Sequence, residues 1–419
     1  MSSRIIPLIV ISIILLVVDW YIYTAYLSTK PAWSESKKKN FKLIWWGYSA
    51  FLIAGVFCGI FFNVTLTVRA IILVAFFITF VSKLFFLPFL LIDDLRRGII
   101  RLTKKSRISN KSKSETDSSS GDKIPRSEFL IKAGVAIAAI PFASLSWGIV
   151  SGAYDYRLKR RVLYLKNLPK AFEGIKLGQI SDIHSGSFYN KKAVSGGVEM
   201  LLAEKPDFVF FTGDLVNNLA SEMRDYQDIF SKVKAPLGVF STLGNHDYGD
   251  YYFGKESSPE KTKNLAQVIA THKRMGYDIL MNESRRLKVG GEEIGIIGVE
   301  NWGAGRFPKH GRLDLAVKGT DELPVNLLLS HDPSHWRAQV LTNYPKIDCM
   351  FAGHTHGMQF GLITENYQWS PVQYVYPEWA GFYREGDQQL YVNEGFGFLG
   401  YPGRVGVLPE ITIFELKRG

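Results

Sequence analysis

Cysteine is nearly missing from this sequence: two occur in 419 residues, Cys58 and Cys349. Two thiols exclude a disulfide scaffold and any zinc module built on cysteine. Net charge is missing from most of the chain as well. Residues 151–419 hold 31 Lys/Arg against 31 Asp/Glu, whereas residues 1–150 hold 19 against 8 and carry the whole excess of +11. A neutral C-terminal region offers no cationic track for a polyanion, so no nucleic acid partner is expected. The basic excess lies in the most apolar part of the chain and therefore bears on topology. With 47% hydrophobic and 14% aromatic residues, the chain is too apolar for a disordered protein and high for a purely soluble one. Its length allows two or three domains.

Four apolar stretches, 5–27, 43–62, 70–92 and 129–150, are each long enough to cross a bilayer as a helix. A cleavable secretory signal would explain only the first. The expected organisation is three transmembrane helices in 1–92, a basic flexible cytoplasmic linker at 93–128, a fourth transmembrane helix at 129–150 and a large domain at 151–419. Segment 30–42 carries Lys30, Lys37, Lys38, Lys39 and Lys42 against Glu35, and 93–128 carries ten Lys/Arg, while the turn at 63–69 has Arg69 alone. Basic loops stay in the cytoplasm, so the C-terminal domain is expected on the extracytoplasmic side. The stretch SNKSKSETDSSSGDK (109–123) is too polar to bury a core and reads as a flexible linker. After it, Arg126 opens a run that looks like an export signal whose second arginine is Ser127. Asp19 and Lys83 lie inside two spans that run in the same direction. They either meet at similar depth or snorkel independently toward the headgroups.

Past residue 150 the pattern turns to short apolar runs. Strands are expected at 175–181, 207–212, 237–242, 294–299, 325–330, 347–352, 389–393 and 411–416, with helical segments at 192–204 and 220–233. This is an α/β domain with more than one sheet. Five of the runs end in polar clusters: Asp182-Ile-His184, Gly213-Asp214, Gly244-Asn245-His246-Asp247, His331-Asp332 and Gly353-His354-Thr355-His356. Ligands of α/β folds gather outside the carboxyl ends of strands, so the clusters converge on one site. Imidazole and carboxylate suit borderline divalent metals, and no thiolate is at hand to select a softer one. Asp182, His184, Asp214, Asn245, His331, His354 and His356 are seven candidate ligands, enough for two metal ions sharing a bridge. Two metals roughly 3.5–4 Å apart clamp the attacking and leaving oxygens of a displacement at phosphorus and make hydroxide available near neutral pH.

With these five motifs in this order, the sequence resembles the calcineurin-like metallophosphoesterases over residues 170–418. The stretches LLLSHDPSHW (327–336) and FAGHTHGMQFG (351–361) look like the membrane-attached branch of that family. The resemblance implies a four-layer αββα sandwich behind a four-helix transmembrane region. It also implies a di-metal phosphodiesterase or pyrophosphatase whose two divalent ions are Mn, Fe or Zn. One ion would be held by Asp182, His184 and His356, the other by Asn245, His331 and His354, with Asp214 bridging them. His246 would face the leaving oxygen as proton donor or charge stabiliser. Some relatives act on a lipid pyrophosphate, so membrane lipids and a lipid-linked phosphoester are the expected partners.

Two departures stand out. Family members often carry Asp where this chain has Asn217, the residue that orients the histidine of the G-N-H motif. They commonly read V-N-R-G where this chain has Glu394, and Arg404 is the nearby cation. His272, His310 and His335 match no motif and read as ordinary histidines. The aromatic-rich segment 373–384 lines a substrate mouth, touches the membrane surface or packs a long loop. Competing with the hydrolase are a silent receptor or scaffold, a generic phosphodiesterase for soluble substrates, and a transporter. The spans, however, lack the repeated charged or broken helices of transport proteins.

Overall fold

The computed structural model describes residues 2–62, 66–109 and 126–419 and divides into two units, Met1–Ser146 and Trp147–Gly419. The division falls a few residues before the expected one. Residues 63–65 of the short turn and 110–125 of the expected linker lie outside the described residues.

The first unit is built from α1 (Ser2–Ser28), α2 (Glu35–Phe61), α3 (Leu66–Ser109) and α4 (Glu128–Val150). All four are long and apolar enough to cross a membrane, and the chain is an integral membrane protein. Ser34 caps α2 by accepting from the Lys37 amide, and Glu35 follows in the first turn. Val18, Ile22, Phe86, Leu90 and Ile131 pack into one buried cluster, while Leu15, Leu52, Val56 and Phe76 form another. Two expectations are corrected. The third helix does not stop at residue 92, and 93–109 is helix rather than flexible linker. Charge does not break a helix by itself, and here Asp93–Arg96 and Asp94–Arg97 pair at i,i+3 and extend it. Asp19 and Lys83 do not snorkel apart: their side chains form an ion pair, and Ser49 Oγ donates to Asp19 Oδ2 at 2.5 Å.

The second unit contains fourteen strands. In chain order they are β1 (Arg157–Leu165), β2 (Lys176–Ile180), β3 (Phe208–Phe211), β4 (Val239–Ser241), β5 (Asp278–Ile279), β6 (Glu283–Val289) and β7 (Glu292–Gly298). Then follow β8 (Asn326–Leu329), β9 (Cys349–Ala352), β10 (Leu362–Ile363), β11 (Gln368–Trp369), β12 (Gly381–Glu385), β13 (Gln388–Val392) and β14 (Glu410–Arg418). One six-stranded sheet has the order β1-β14-β2-β3-β4-β5 and the other β12-β13-β9-β8-β7-β6, with β10 and β11 as a separate hairpin. At their centres β2, β3 and β4 run parallel, as do β7, β8, β9 and β13.

Side-chain alternation fixes the layers. Phe208 and Phe210 of β3 enter a cluster with Leu327 and Leu329 of β8 and Cys349 and Phe351 of β9, so the two sheets pack face to face. Val209 and Phe211 point the other way, onto Val194, Val198 and Leu201 of α5 (Lys191–Ala203) and Val268 of helix Pro259–Met275. Leu328, Met350 and Leu390 of the second sheet cover Leu313, Trp336 and Val340 in the same way. The result is the four-layer αββα sandwich. Cys349 is fully buried between the sheets and Cys58 is exposed on α2. The expected helix at 220–233 is a 3-10 turn, Ala220–Asp225, followed by one α-turn, Gln227–Phe230.

Candidate metal centre

Each polar motif follows the end of a central strand, where the chain must turn at once. Asp182, His184, Asp214, His354 and His356 all have left-handed backbones, with φ of 52°, 49°, 59°, 72° and 50°. For residues with a Cβ this conformation costs on the order of 1–3 kcal/mol each and persists only where the surroundings enforce it. Main-chain bonds provide that enforcement. Asp182 N donates to Gly213 O at 2.9 Å, His184 N to Asp214 O at 3.1 Å, and Gly353 N to His331 O at 3.0 Å. The turns also approach each other too closely for side chains. A Cβ on Gly213 would meet the Gly244 amide at 2.6 Å, and one on Gly244 would meet Asp214 Oδ1 at 2.1 Å.

A carboxylate locks the two loops together. Asp247 is fully buried and accepts from the amides of Gly244 (2.9 Å), Asp214 (3.0 Å), Leu215 (2.8 Å) and Val216 (3.2 Å). Burial and the neighbouring Asp214 charge push it up to about 7 against the pull of those amides.

The seven candidate ligands come together in two groups. In one, His184 Nε2 lies 3.0 Å from His356 Nε2, which is 3.2 Å from Asp182 Oδ1. In the other, His354 Nδ1 lies 2.8 Å from Asn245 Oδ1 and 3.3 Å from His331 Nε2. Asp214 touches both, its Oδ2 being 3.4 Å from His184 Nε2 and 3.2 Å from His331 Nε2. Asp182, His184, Asp214 and His331 are almost wholly buried. Asp182 also accepts from the His354 amide at 3.0 Å on both oxygens, which joins the last motif to the first.

The donor set fits divalent cations. His331 Nδ1 donates to Thr212 O at 2.8 Å, which leaves Nε2 to face Asp214, and His354 Nε2 is engaged by Tyr376 OH at 2.8 Å, which leaves Nδ1 to face Asn245 Oδ1 and His331. Inward lone pairs from imidazole, amide and carboxylate then crowd one space, which is unfavourable unless a proton or a cation sits among them. Protons fill that role in the protein alone. Burial works against a charge on His331, yet Asp214 and Asp182 overcome it and lift its pKa to about 10. Burial would raise Asp182 and Asp214, but the surrounding histidines hold both below the ordinary carboxylate range. Burial holds His184 and His354 below the ordinary imidazole value, so of these three histidines His331 alone stands cationic against two carboxylates, and metal ions can take over such a site.

His246 stands at the rim, half-buried beside these groups. Its ring is 4.9 Å from that of His184 and stacks on Tyr251 at 4.5 Å, and its amide donates to Asp214 Oδ1 at 2.9 Å. Its Nδ1 is 2.9 Å from the backbone carbonyl of Asn217, so orientation survives without an aspartate side chain. The Asn217 amide group itself donates to Ser187 Oγ at 2.9 Å. Glu222 braces the loop by accepting from the backbone amides of Asn217, Asn218 and Leu219.

Arg404 does not serve as a phosphate-facing cation. It is 1% exposed, and its guanidinium donates to the carbonyls of Glu394, Gly395 and Gly397 and reaches His356 Nδ1 at 3.1 Å. The Glu394 carboxylate is taken by Lys159 at 2.6 Å.

The remaining histidines each have a partner outside the candidate ligand set. His272 pairs with Ser241 Oγ, His335 with Ser330 Oγ and Gln339 Oε1, and His310 stacks on Tyr248 at 4.0 Å. Motif reading missed Tyr376 and Asp332, which both approach His354 Nε2, at 2.8 and 3.7 Å. Asp332 follows His331 directly, and Tyr376 lies in the aromatic-rich segment, so each carried a signal in the sequence. That segment divides its labour: Tyr376 reaches the site, Trp379 is core at 2% exposed, and from Gly381 onward the chain is strand β12.

Comparison with known proteins gives two family matches. Residues 3–153 match a family described as "Probable Calcineurin-like phosphoesterase, transmembrane domain", and residues 175–358 match the calcineurin-like phosphoesterases. The uncharacterized metallophosphoesterase YkuE of Bacillus subtilis is 30% identical over 260 residues, covering 60% of this chain and 82% of that protein. A transmembrane protein with metallophosphoesterase domain from Danio rerio is 28% identical over 281 residues, 65% of this chain and 60% of that protein. Phosphodiesterase YaeI of Escherichia coli is 25% identical over 263 residues, 62% of this chain and 87% of that protein.

Proposed function

We propose, from the premise that the chain belongs to the calcineurin-like metallophosphoesterases and is a metal-dependent phosphoester hydrolase, that it hydrolyses a lipid-linked phosphodiester or pyrophosphate on the extracytoplasmic side of a membrane. The family works with two divalent metal ions, which when bound supply Lewis acidity at the phosphoryl oxygens and a water of lowered pKa. Asp182, His184 and His356 would hold one ion and Asn245, His331 and His354 the other. Asp214, whose carboxylate reaches a histidine of each group, would lie between them, and its position carries the reading.

His246 would act on the reacting group. With Nδ1 directed at the Asn217 carbonyl, its Nε2 can present a proton to the leaving oxygen when the ring is an imidazolium. Tyr376 and Asp332 keep His354 turned so that Nδ1 faces the ion site.

The lipid part of the proposal rests on the surface next to the site. Met358, Phe360, Leu362, Tyr367, Tyr374 and Val375 are 58%, 38%, 50%, 58%, 78% and 72% exposed. All lie in the short stretch of chain around the β10–β11 hairpin, directly after the ligand His356 and directly before Tyr376. A cluster of large apolar groups on a surface marks an interaction site, and aromatic residues favour the membrane interface. The neutral charge of residues 151–419 suits a ligand with one or two phosphates and an apolar tail better than a polyanion.

The test is turnover by the full chain of a lipid phosphodiester in micelles against a soluble aryl phosphodiester, with metal content measured on the same sample. Preference for the lipid is expected. Preference for the soluble compound would remove the lipid reading and leave the hydrolase. For the side of the membrane, a reporter active only outside the cytoplasm should work after Gly419 and stay silent within 109–123. The reverse pattern would place the site in the cytoplasm.

A further inference from the structure

The membrane unit holds an open-sided cavity of about 450 Å³ to which all four helices contribute, lined by Ile22, Trp45, Ser82, Lys83, Ala138 and the exposed Phe142, among others. Its size falls within the roughly 300–1,000 Å³ of small-molecule sites. The walls are almost wholly aliphatic and aromatic, with few polar atoms. Lys83 Nζ lies 5.3 Å from the Trp45 ring centre and pairs with Asp19, whose side chain is fully buried. Beside them, Trp45 Nε1 and Ser82 Oγ are buried with no hydrogen-bond partner among the described residues. Tyr48 OH and Thr79 Oγ1, also at the cavity, satisfy each other at 2.7 Å.

Two unmet groups inside a membrane-spanning bundle need explanation, because buried polar groups are nearly always paired. Indole N–H can only donate, the serine hydroxyl can donate, and the ammonium has donors beyond the one directed at Asp19. The missing complement is therefore an oxygen acceptor. The walls select what carries that oxygen: a hydrocarbon chain, which is the solvent around these helices. A helix from a second copy is ~10–12 Å across and too wide to enter, whereas an acyl chain is one methylene wide.

We propose that this cavity binds the acyl chain of a membrane lipid, with a carboxyl or ester oxygen held by Trp45, Ser82 and Lys83. This makes the membrane unit a lipid-binding module, a role independent of what the metal centre hydrolyses.

Two probes test it on the detergent-solubilised full chain: palmitic acid carrying a diazirine in its chain, and a phosphatidylcholine with the same diazirine on one acyl chain. After irradiation, label is expected on the peptides that contain Phe41–Tyr48 and Thr79–Phe86. That label should be saturable by excess unlabelled lipid of the same kind. Labelling by the fatty acid alone identifies a free carboxylate as the ligand group, and labelling by the phospholipid identifies an ester; either supports the proposal. Ala138→Trp, which fills the cavity, should abolish the saturable label. Ile140→Trp on the same helix, at a position 60% exposed, should retain it. Ser82→Ala changes almost no volume and should raise the concentration for half-saturation several-fold, so the test stands even if Ala138→Trp fails to fold. Label that is not saturable, or saturable label unchanged in Ser82→Ala and in folded Ala138→Trp, would overturn the site.

Discussion

Both units of this chain bury carboxylates, and they settle the electrostatic cost in opposite ways. In the membrane unit Asp19 meets a cation of its own, Lys83, and takes a hydrogen bond from Ser49. In the C-terminal unit Asp182 and Asp214 are equally buried, but among the described residues their ion-pair partners are all histidines. An internal lysine closes a charge pair and leaves its carboxylate no vacancy for an outside cation. Imidazoles that can give up their protons keep two carboxylates available to cations that arrive later. The contrast separates a charge that holds helices together from charges arranged for exchange.

Removing Asp214, a carboxylate that reaches a histidine of each ligand group, should break the open arrangement most severely. Asp214→Asn is expected to cut hydrolysis by ~10³-fold or more and to lower bound metal, read by steady-state assay and elemental analysis of the same preparation. Retention of full metal content would deny Asp214 its bridging position.

The closed pair is broken by removing one partner. Asp19→Asn leaves Lys83 buried without its anion and should cost about 3–5 kcal/mol, seen as a lower melting temperature of the membrane helices in detergent. Adding Lys83→Met to Asp19→Asn should recover most of that loss, since the double variant buries no unpaired charge. A double variant as unstable as the single one would mean that the pair contributes through packing alone.

His246 sharpens the comparison from the rim of the open site. His246→Ala should slow turnover by about 10²-fold while metal content stays at the wild-type level, because the side chain belongs to neither ligand group. Metal loss as severe as that of Asp214→Asn would make His246 part of the ion cage.

Legibility followed the same division between interior and edge. The seven candidate ligands stood out because each follows an apolar run, and the central strands β2, β3, β4, β7, β8 and β9 read as such runs. Six strands escaped: β1, β5, β6 and β12, the four outermost strands of the two sheets, and the short pair β10 and β11. β1 (RLKRRVLYL) and β6 (ESRRLKV) carry four charged residues each and are half-exposed, as edge strands are when they must not recruit another chain. Alternation therefore could not reveal them. Asn217 shows a different limit: the sequence records the loss of an aspartate side chain, while the orienting atom here is a backbone carbonyl, which every residue has. Tyr376 was hidden among other aromatics whose roles only the fold separates. In the membrane region, composition marked four spans correctly but missed that α3 runs on past its apolar run, because i,i+3 ion pairs sustain a helix that hydropathy no longer marks.

A third group of buried carboxylates lies between these two solutions. Glu394, Glu410 and Lys159 form one cluster, with Lys159 Nζ 2.6 Å from Glu394 and 3.0 Å from Glu410. One ammonium can balance one carboxylate, so the second is better off protonated. Burial and the charge of Glu410 raise Glu394 to about 8, while burial of Glu410 is outweighed by Lys159 and by hydrogen bonds from Glu394, Thr412 and Tyr391, which hold it at about 2. An unfolded glutamate titrates near 4.5. Between that value and about 8 the folded chain keeps a proton on Glu394 that the unfolded chain has lost. Stability from Glu394 is therefore complete at acid pH and falls as pH rises, by at most about 1.4 kcal/mol per pH unit. Glu410 has the opposite sign, and its contribution is lost only as pH falls from the ordinary glutamate range toward 2. Glu394→Gln resembles the protonated side chain and cannot ionise. Its melting temperature should match the wild type at mildly acid pH and exceed it increasingly up to pH ~8. The difference between the two curves removes contributions from the metal centre, which both proteins share. Parallel curves across that window would mean that Glu394 is ionised in the fold and that Lys159 balances both carboxylates at once.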